Sequence, residues 1–326
     1  MDNAKGYKAF KPGMICRDKQ YAENTDYEEV GGKICEKGMM HYCVNPFDVL
    51  NFYDLVDESG KFSDFAEVKA LDQPISGSDG KFATKKLHIG AKLSFAGFIK
   101  ACIDYTKEQT IVNMPKSDVT TGNSAQIGSS GDSAKIGSSG NYAQIGSSGD
   151  YAQIGSSGYS AKIGSSGDYA QIGSSGDSAK IGSSGYSAQI GSSGYSAKIG
   201  SSGYSAQIGS SGDYAQIGSS GYSAQIGSSG DSAKIGSSGD SAQIGSSGDY
   251  AQIDSTGVDS VICCAGHGCT VKAKIGSWIT LAEWEYSEEK GRSVPRCVKT
   301  EYVDGENIKP DTWYQLKNGE FVEVNR

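Results

Sequence analysis

Four residues near the end of the chain carry metal-ligand chemistry: Cys263, Cys264, His267 and Cys269. Zinc takes four soft ligands in a tetrahedron. Adjacent Cys263 and Cys264 would point to opposite sides of a strand, which favours a cysteine-lined end of a repeat over a metal centre. Cys16, Cys35, His41 and Cys43 form a second set. It has no short Cys-x-x-Cys pair, and scattered buried thiols are its plainer reading. A third group is aromatic and cationic. Ten tyrosines and five lysines recur in a Gly/Ser-rich stretch. Tyr186, Tyr204, Tyr222, Tyr151 and Tyr169, with Lys162, Lys180 and Lys198, are the candidate binding residues. Exposed tyrosines suit protein or glycan recognition, and stacked ones also stabilise neighbouring strands. No P-loop, dinucleotide-binding glycine pattern, nucleophile elbow or HExxH motif occurs. No catalytic residue is assigned and no cofactor is expected.

The elements that must position these residues follow from a repeat. Ile stands at every ninth position from Ile127 to Ile253, fifteen units in all, with the unit G-[D/Y/N]-[S/Y]-A-[Q/K]-I-G-S-S, which the last closes as I-D-S-T. The spacing predicts a strand at [S/Y]-A-[Q/K]-I, with Ala and Ile on one side, and a turn at G-S-S-G. One unit cannot bury its own Ala and Ile, but a stack can, giving a parallel β-solenoid. The invariant Ile argues against a flexible linker. Two units close the simplest coil, of 18 residues; a three-unit coil of 27 is the alternative. Lys favours two. Lys162, Lys180, Lys198 and Lys234 fall in odd-numbered units, with Lys135 the exception, so Lys162, Lys180 and Lys198 would stack in one column. Tyr186, Tyr204 and Tyr222 would form another column. With eight Asp against five Lys, the array is too dilute in charge to mimic nucleic acid.

The flanks have ordinary composition. Residues 1–110 predict a small α+β head: a helix start at Asn45-Pro46, strands at Phe65–Leu71 and Phe82–Ile89 with a turn at Asp79-Gly80, and a helix near 94–108. Residues 111–123 would be a linker, 124–274 the solenoid with degenerate end coils at Ile262 and Val271, and 275–326 a small all-β cap. That cap carries Trp278, Trp284, Trp313 and a hairpin at Lys317-Asn318-Gly319. The fold class is therefore mainly β. A formal charge of −8 argues against a phosphate-backbone binder. No apolar run is long enough to cross a membrane and no signal peptide is visible. The expected location is a host cytoplasm or a virion, with the eight cysteines reduced.

The run GYKAF…CRDKQY…ICEKGMMHYC, NPFDVLNFY and FAEVKAL, the Gly-rich array, and the closing SWITLAEWEY…IKPDTWYQLKNGEFVEV resemble a family of uncharacterised phage and gut-bacterial proteins. The resemblance implies an N-terminal domain of unknown function, an array of variable length and a small C-terminal domain, and it supplies no activity. The unit departs from calcium-binding nonapeptides, which need G-G-x-G-x-D. It also departs from trimeric adhesin heads, whose units are longer, and from ice-nucleating arrays, whose hydroxyl rows Lys and Tyr interrupt here. Gly38-Met-Met-His41-Tyr42-Cys43 resembles a strand-to-helix piece of ADP-ribosyltransferase-like folds. That likeness would place Tyr7 and Arg17 near a nucleotide cleft, with no counterpart for the family's glutamate. The expected function is a non-enzymatic structural or interaction protein, a rigid rod presenting its head to an unidentified protein partner. The alternatives are a nucleotide-dependent enzyme in the head and a glycan- or ice-binding array. Self-association is left open.

Overall fold

The computed structural model describes residues 4–31, 38–57, 61–77, 80–109 and 117–325. Cys35, Asp79 and residues 111–116 of the expected linker lie outside them. The array is a parallel β-solenoid with two units per coil. Every strand pairs with the one 18 residues on, so that Ile172, Ile190 and Ile208 lie in register. Odd and even units build two separate sheets of 11 strands each, counting the end strands.

The strand is [Q/K]-I-G-S, as in Gln189–Ser192, two residues later than the sequence suggests. Gly and Ser read as turn residues, yet here Gly points outward and the first Ser points into the core behind Ile. Ala precedes the strand and is still buried. The inward set is therefore Ala, Ile and Ser. The ladder continues past the strand at both ends, with Gln189 N–H donating to Ala170 O at 2.8 Å and Ser193 N–H to Ser174 O at 3.0 Å.

The turn residues decide how successive coils join. In most turns that begin with Asp or Asn, its side-chain oxygen accepts from the backbone of the next coil, as Asp168 does from Tyr186 N–H at 2.7 Å. The residue after it is then left-handed (Tyr151 and Tyr169, φ 57°). Its N–H points to the next coil, Tyr151 to Asp168 O at 2.8 Å. In turns that begin with Tyr, this N–H points back instead, Ser205 to Tyr186 O at 2.9 Å. Asp177 stands between Tyr159 and Tyr195 in its column and follows their form. Ser178 N–H bonds Tyr159 O at 2.9 Å, and Ser196 N–H bonds Asp177 O at 2.7 Å. Each peptide must present an oxygen to its neighbour's N–H, so orientation propagates along a column and overrides a single residue's preference.

The stack begins before the array. Ser117–Thr120, within the expected linker, pairs parallel with Lys135–Ser138. At the far end the cap is no separate layer: its strands prolong both sheets. Trp278–Ser287 continues one sheet in parallel, and Arg292–Tyr302 closes it antiparallel. Tyr314–Lys317 pairs antiparallel with Thr270–Lys272 and turns at Asn318-Gly319, both at positive φ, into Glu320–Glu323. The outer strand Arg292–Tyr302 carries Pro295, Arg292, Arg296 and Lys299, devices that keep an edge from pairing further.

The head is a seven-stranded antiparallel sheet in the order Thr25–Glu28, Lys86–Leu93, Asp64–Ala70, Lys5–Phe10, Met40–Cys43, Lys81–Thr84, Ile75–Ser76. The single strand expected over Phe82–Ile89 is thus two, on opposite sides of the sheet, broken at Lys85. Asn45 caps a 3-10 helix, Pro46–Asn51, by accepting from Phe47 N–H. Ser94 Oγ accepts from Gly97 N–H at 3.1 Å and so starts the helix Phe95–Gln109 in the manner of an N-cap. Phe98 of that helix stacks on Phe65 of the sheet at 3.7 Å. Its other side lies against the solenoid. The head is not carried at the tip of a rod but lies along one face of it.

Candidate functional site

The head covers the face built by the odd-numbered units. Outward on each strand there stand one Gln or Lys and one Gly. The glycines form a flat strip, and the head fills it. Gly164 faces Ile103 and Thr106; Gly182 faces Phe47, Ile99 and Ile103; Gly200 faces Ile99 and Phe95; Gly218 faces Phe62 and Phe95; Gly236 faces Phe62 and Val56. A Cβ on Gly218 would stand 2.8 Å from both phenyl rings, closer than carbon atoms pack. Helix residues four apart rise ~6 Å and coils ~4.8 Å, so Phe95, Ile99 and Ile103 step down the strip nearly one coil at a time.

The lysine column is the polar half of this contact. Lys162 Nζ meets Asp48 Oδ1 at 2.6 Å. Lys180 Nζ donates to Asn51 Oδ1 at 2.5 Å. Lys198 Nζ donates to Leu50 O at 2.7 Å and meets Asp54 at 3.2 Å. Gln216 takes the next place, accepting from Leu55 N–H at 2.8 Å and donating to Asp54 at 2.9 Å. Burial, reinforced by Lys162, lowers the Lys180 ammonium to about 8, against the pull of Asp48. Lys162, Lys180 and Lys198 are therefore engaged within the chain.

The face built by the even-numbered units has the same pattern and, among the described residues, no cover from the head. A Cβ on Gly155, Gly173, Gly191, Gly209, Gly227 or Gly245 would meet nothing within 4 Å. Glutamines run in register beside them from Gln153 through Gln171, Gln189, Gln207 and Gln225 to Gln243. The two faces differ in charge: Lys on the covered one, Gln along this stretch of the open one. Shallow grooves of about 790 and 570 Å³ follow the open strip.

Tyr151, Tyr169, Tyr186, Tyr204 and Tyr222 occupy five successive coils along one edge of this face. Tyr151 stacks on Tyr169 at 5.1 Å, Tyr186 on Tyr204 at 5.2 Å, and Tyr204 on Tyr222 at 5.3 Å, with ring planes within 14°. The rings spend their faces on one another. What they offer outward is a row of edges and hydroxyls, which suits ladder packing and protein contact better than a sugar platform.

The metal-like cluster does not converge. Cys264 and Cys269 are buried side by side, whereas Cys263 is exposed on the opposite side of its strand. His267 sits in a turn, its N–H bonded to Asp249 Oδ1 at 2.7 Å and its ring edge-on to Tyr250. Among the described residues no group of three His, Cys, Asp or Glu could hold a metal ion.

The head holds a third site. Tyr7, Arg17, His41 and Tyr42, singled out in sequence, line one cavity of about 250 Å³ together with Lys8, Cys16 and Tyr53. Lys8 projects from the middle of the central strand Lys5–Phe10 and is 5% exposed. Its Nζ donates to His41 O at 2.9 Å, and burial lowers its pKa against the pull of Cys16. Tyr53 Oη donates to Cys16 Sγ at 3.0 Å. Burial raises the Tyr7 phenol to about 12, with Glu67 adding to the effect. Three members of the second thiol set, Cys16, His41 and Cys43, share this cavity; Cys35 is outside the described residues. Lys8 and Tyr53 stood in the runs GYKAF and NPFDVLNFY without a role attached to them, although a lysine flanked by Tyr7, Ala9 and Phe10 was a signal of a buried cation.

Residues 4–101, which hold the whole cavity, match the family model of a domain of unknown function, DUF7666. No curated protein and no solved structure matches the chain. Among the described residues no helix is long and apolar enough to cross a membrane.

Proposed function

We propose that this chain is a structural interaction protein in which the solenoid holds the DUF7666 head on one face and receives a partner on the other. The observation that carries it is the bare glycine strip from Gly155 to Gly245. Glycine weakens a strand and has no side chain to pack, and in strand interiors it marks close approach of another chain or ligand. On the head side that approach is made by Phe95, Ile99 and Ile103. The equivalent strip fits the same kind of object: a helix with aliphatic or aromatic residues at four-residue steps. Its flanks would be amide or hydroxyl rather than acidic, because Gln replaces Lys. The tyrosine edge adds the residue type most enriched at protein interfaces. On this reading the array is a platform, and the nucleotide-enzyme and glycan readings are secondary.

The test uses the full chain as bait, beside Gly191→Trp and Gly209→Trp on the open face. Both substitutions enter open space, so the fold should persist by circular dichroism. Proteins from the source cell that the wild type retains and both variants lose would support the reading, provided the segment that cross-links to Gln189–Gln225 is helical. Equal recovery by all three would overturn it.

A further inference from the structure

The head cavity has a charge pattern unlike the rest of this acidic protein. Three cationic residues line it, Lys8, Arg17 and Lys81, and no Asp or Glu does so among the described residues. Lys8 lies at depth and Arg17 is exposed at the rim. An ammonium has three donors. His41 O takes one and the Cys16 sulfur lies beside another, but no described carboxylate pairs with Lys8. Beyond these it has the rings of Phe10 and Tyr21 at 5.5 and 5.6 Å, and a buried cation with no counter-charge among the described residues is unfavourable unless something supplies one. The walls are aromatic: Tyr7, Phe52 and Tyr53 line the same space. Ligand pockets combine such apolar walls with a few placed polar groups.

We propose that this cavity binds a small aromatic anion, its carboxylate or phosphate held by Lys8 at the floor and Arg17 at the rim, its ring against Tyr7, Phe52 and Tyr53. The volume of about 250 Å³ accommodates one substituted ring and its acid group, not a dinucleotide. The site also bears on the rest of the molecule. Phe52 and Tyr53 are flanked by Asn51 and Asp54, which bond Lys180 and Lys198, so one short segment both walls the cavity and grips the solenoid. This inference does not depend on the partner face and stands or falls separately from it.

Calorimetry on the full chain with four probes tests it: phenyl phosphate, benzoate, benzyl alcohol and inorganic phosphate. At least one aromatic anion should bind with a Kd near or below about 1 mM. Both the uncharged ring and the ringless anion should bind at least roughly tenfold more weakly. The stronger of phenyl phosphate and benzoate identifies the acid group. Lys8→Met should abolish binding. Arg17→Gln, at an exposed position where folding is not at stake, should weaken it roughly three- to tenfold. Absence of binding by both aromatic anions, equal binding of benzyl alcohol, or unchanged affinity in Arg17→Gln would each overturn the proposal.

Discussion

Asp254 stands where every earlier unit has glycine, and a single carboxylate there changes the local physics. It is 2% exposed and meets Lys272 Nζ at 2.7 Å, itself 7% exposed. Lys61 of the head and Asp311 of the tail act on it as well, so it lies where head, solenoid and end strands come together. Burial pushes its carboxyl up to about 6, outweighing the hydrogen bond and charge of Lys272. A carboxyl whose folded pKa exceeds its unfolded value holds its proton more tightly in the folded state. Stability from this group is therefore greatest below about pH 4, falls as pH rises through the window from 4 to 6, and is level above it. Asp254→Asn mimics the protonated form. In urea unfolding the variant and the wild type should nearly coincide at pH 4, and the variant should lead by about 3 kcal/mol at pH 7. A variant less stable than the wild type at pH 7 would mean that the ion pair with Lys272 outweighs burial and stabilises the fold.

At the scale of the strand and its turn, two glycines three residues apart have opposite duties. Gly191 lies on the open face with nothing near its missing side chain; a Cβ on Gly194 would collide with Gly176 O of the coil below. Gly191→Ala should raise stability by roughly 0.5–1 kcal/mol through the unfolded chain and the strand. Gly194→Ala should lower it by more than about 2 kcal/mol, since backbone must shift. Thermal melts of the two variants check both signs. This contrast explains what the sequence could reveal about the solenoid. The period, the inward Ala and Ile, and the two-unit coil were legible, because stacking forces like residues into register and the lysines betrayed it. The strand boundary was not. Gly-Ser carries the local preferences of a turn, and neighbouring coils impose the extended form on it. The Asp177 turn was illegible for the same reason, its orientation being set by Tyr159 and Tyr195 in other coils.

For the whole molecule, the position of the head was the largest feature hidden from sequence. Asp48 and Asp54 look like ordinary surface acids, and only the fold brings them to the lysine column. One sign was available. The helix Phe95–Gln109 has Phe95, Phe98, Ile99, Cys102 and Ile103, an apolar surface too wide for one contact, because it is pressed between the head sheet and the solenoid. The head cavity was half legible: His41, Tyr42 and Cys43 of the GMMHYC run share it with Tyr7 and Arg17, but Lys8 and Tyr53 stood in the runs GYKAF and NPFDVLNFY with no role attached to them. If the glycine strip is what seats the head, a side chain there should dislodge it without melting either part. Gly218→Leu places a branched side chain where Phe62 and Phe95 now lie against the strand. The position is outward, so the Ile core of the coil is untouched. Once displaced, the head stays joined to the stack only by the chain that follows its helix. Small-angle scattering should show a radius of gyration above that of the wild type, for which a compact chain of this length gives roughly 20 Å. The strand signal in circular dichroism should be retained. Gly209→Leu, the same change on the bare face, should leave the radius where it is, since none of the described residues lies over it. An unchanged radius in Gly218→Leu would mean that the lysine and glutamine contacts with residues 48–55 hold the head without the strip. An equal expansion in both variants would mean that the solenoid itself had loosened.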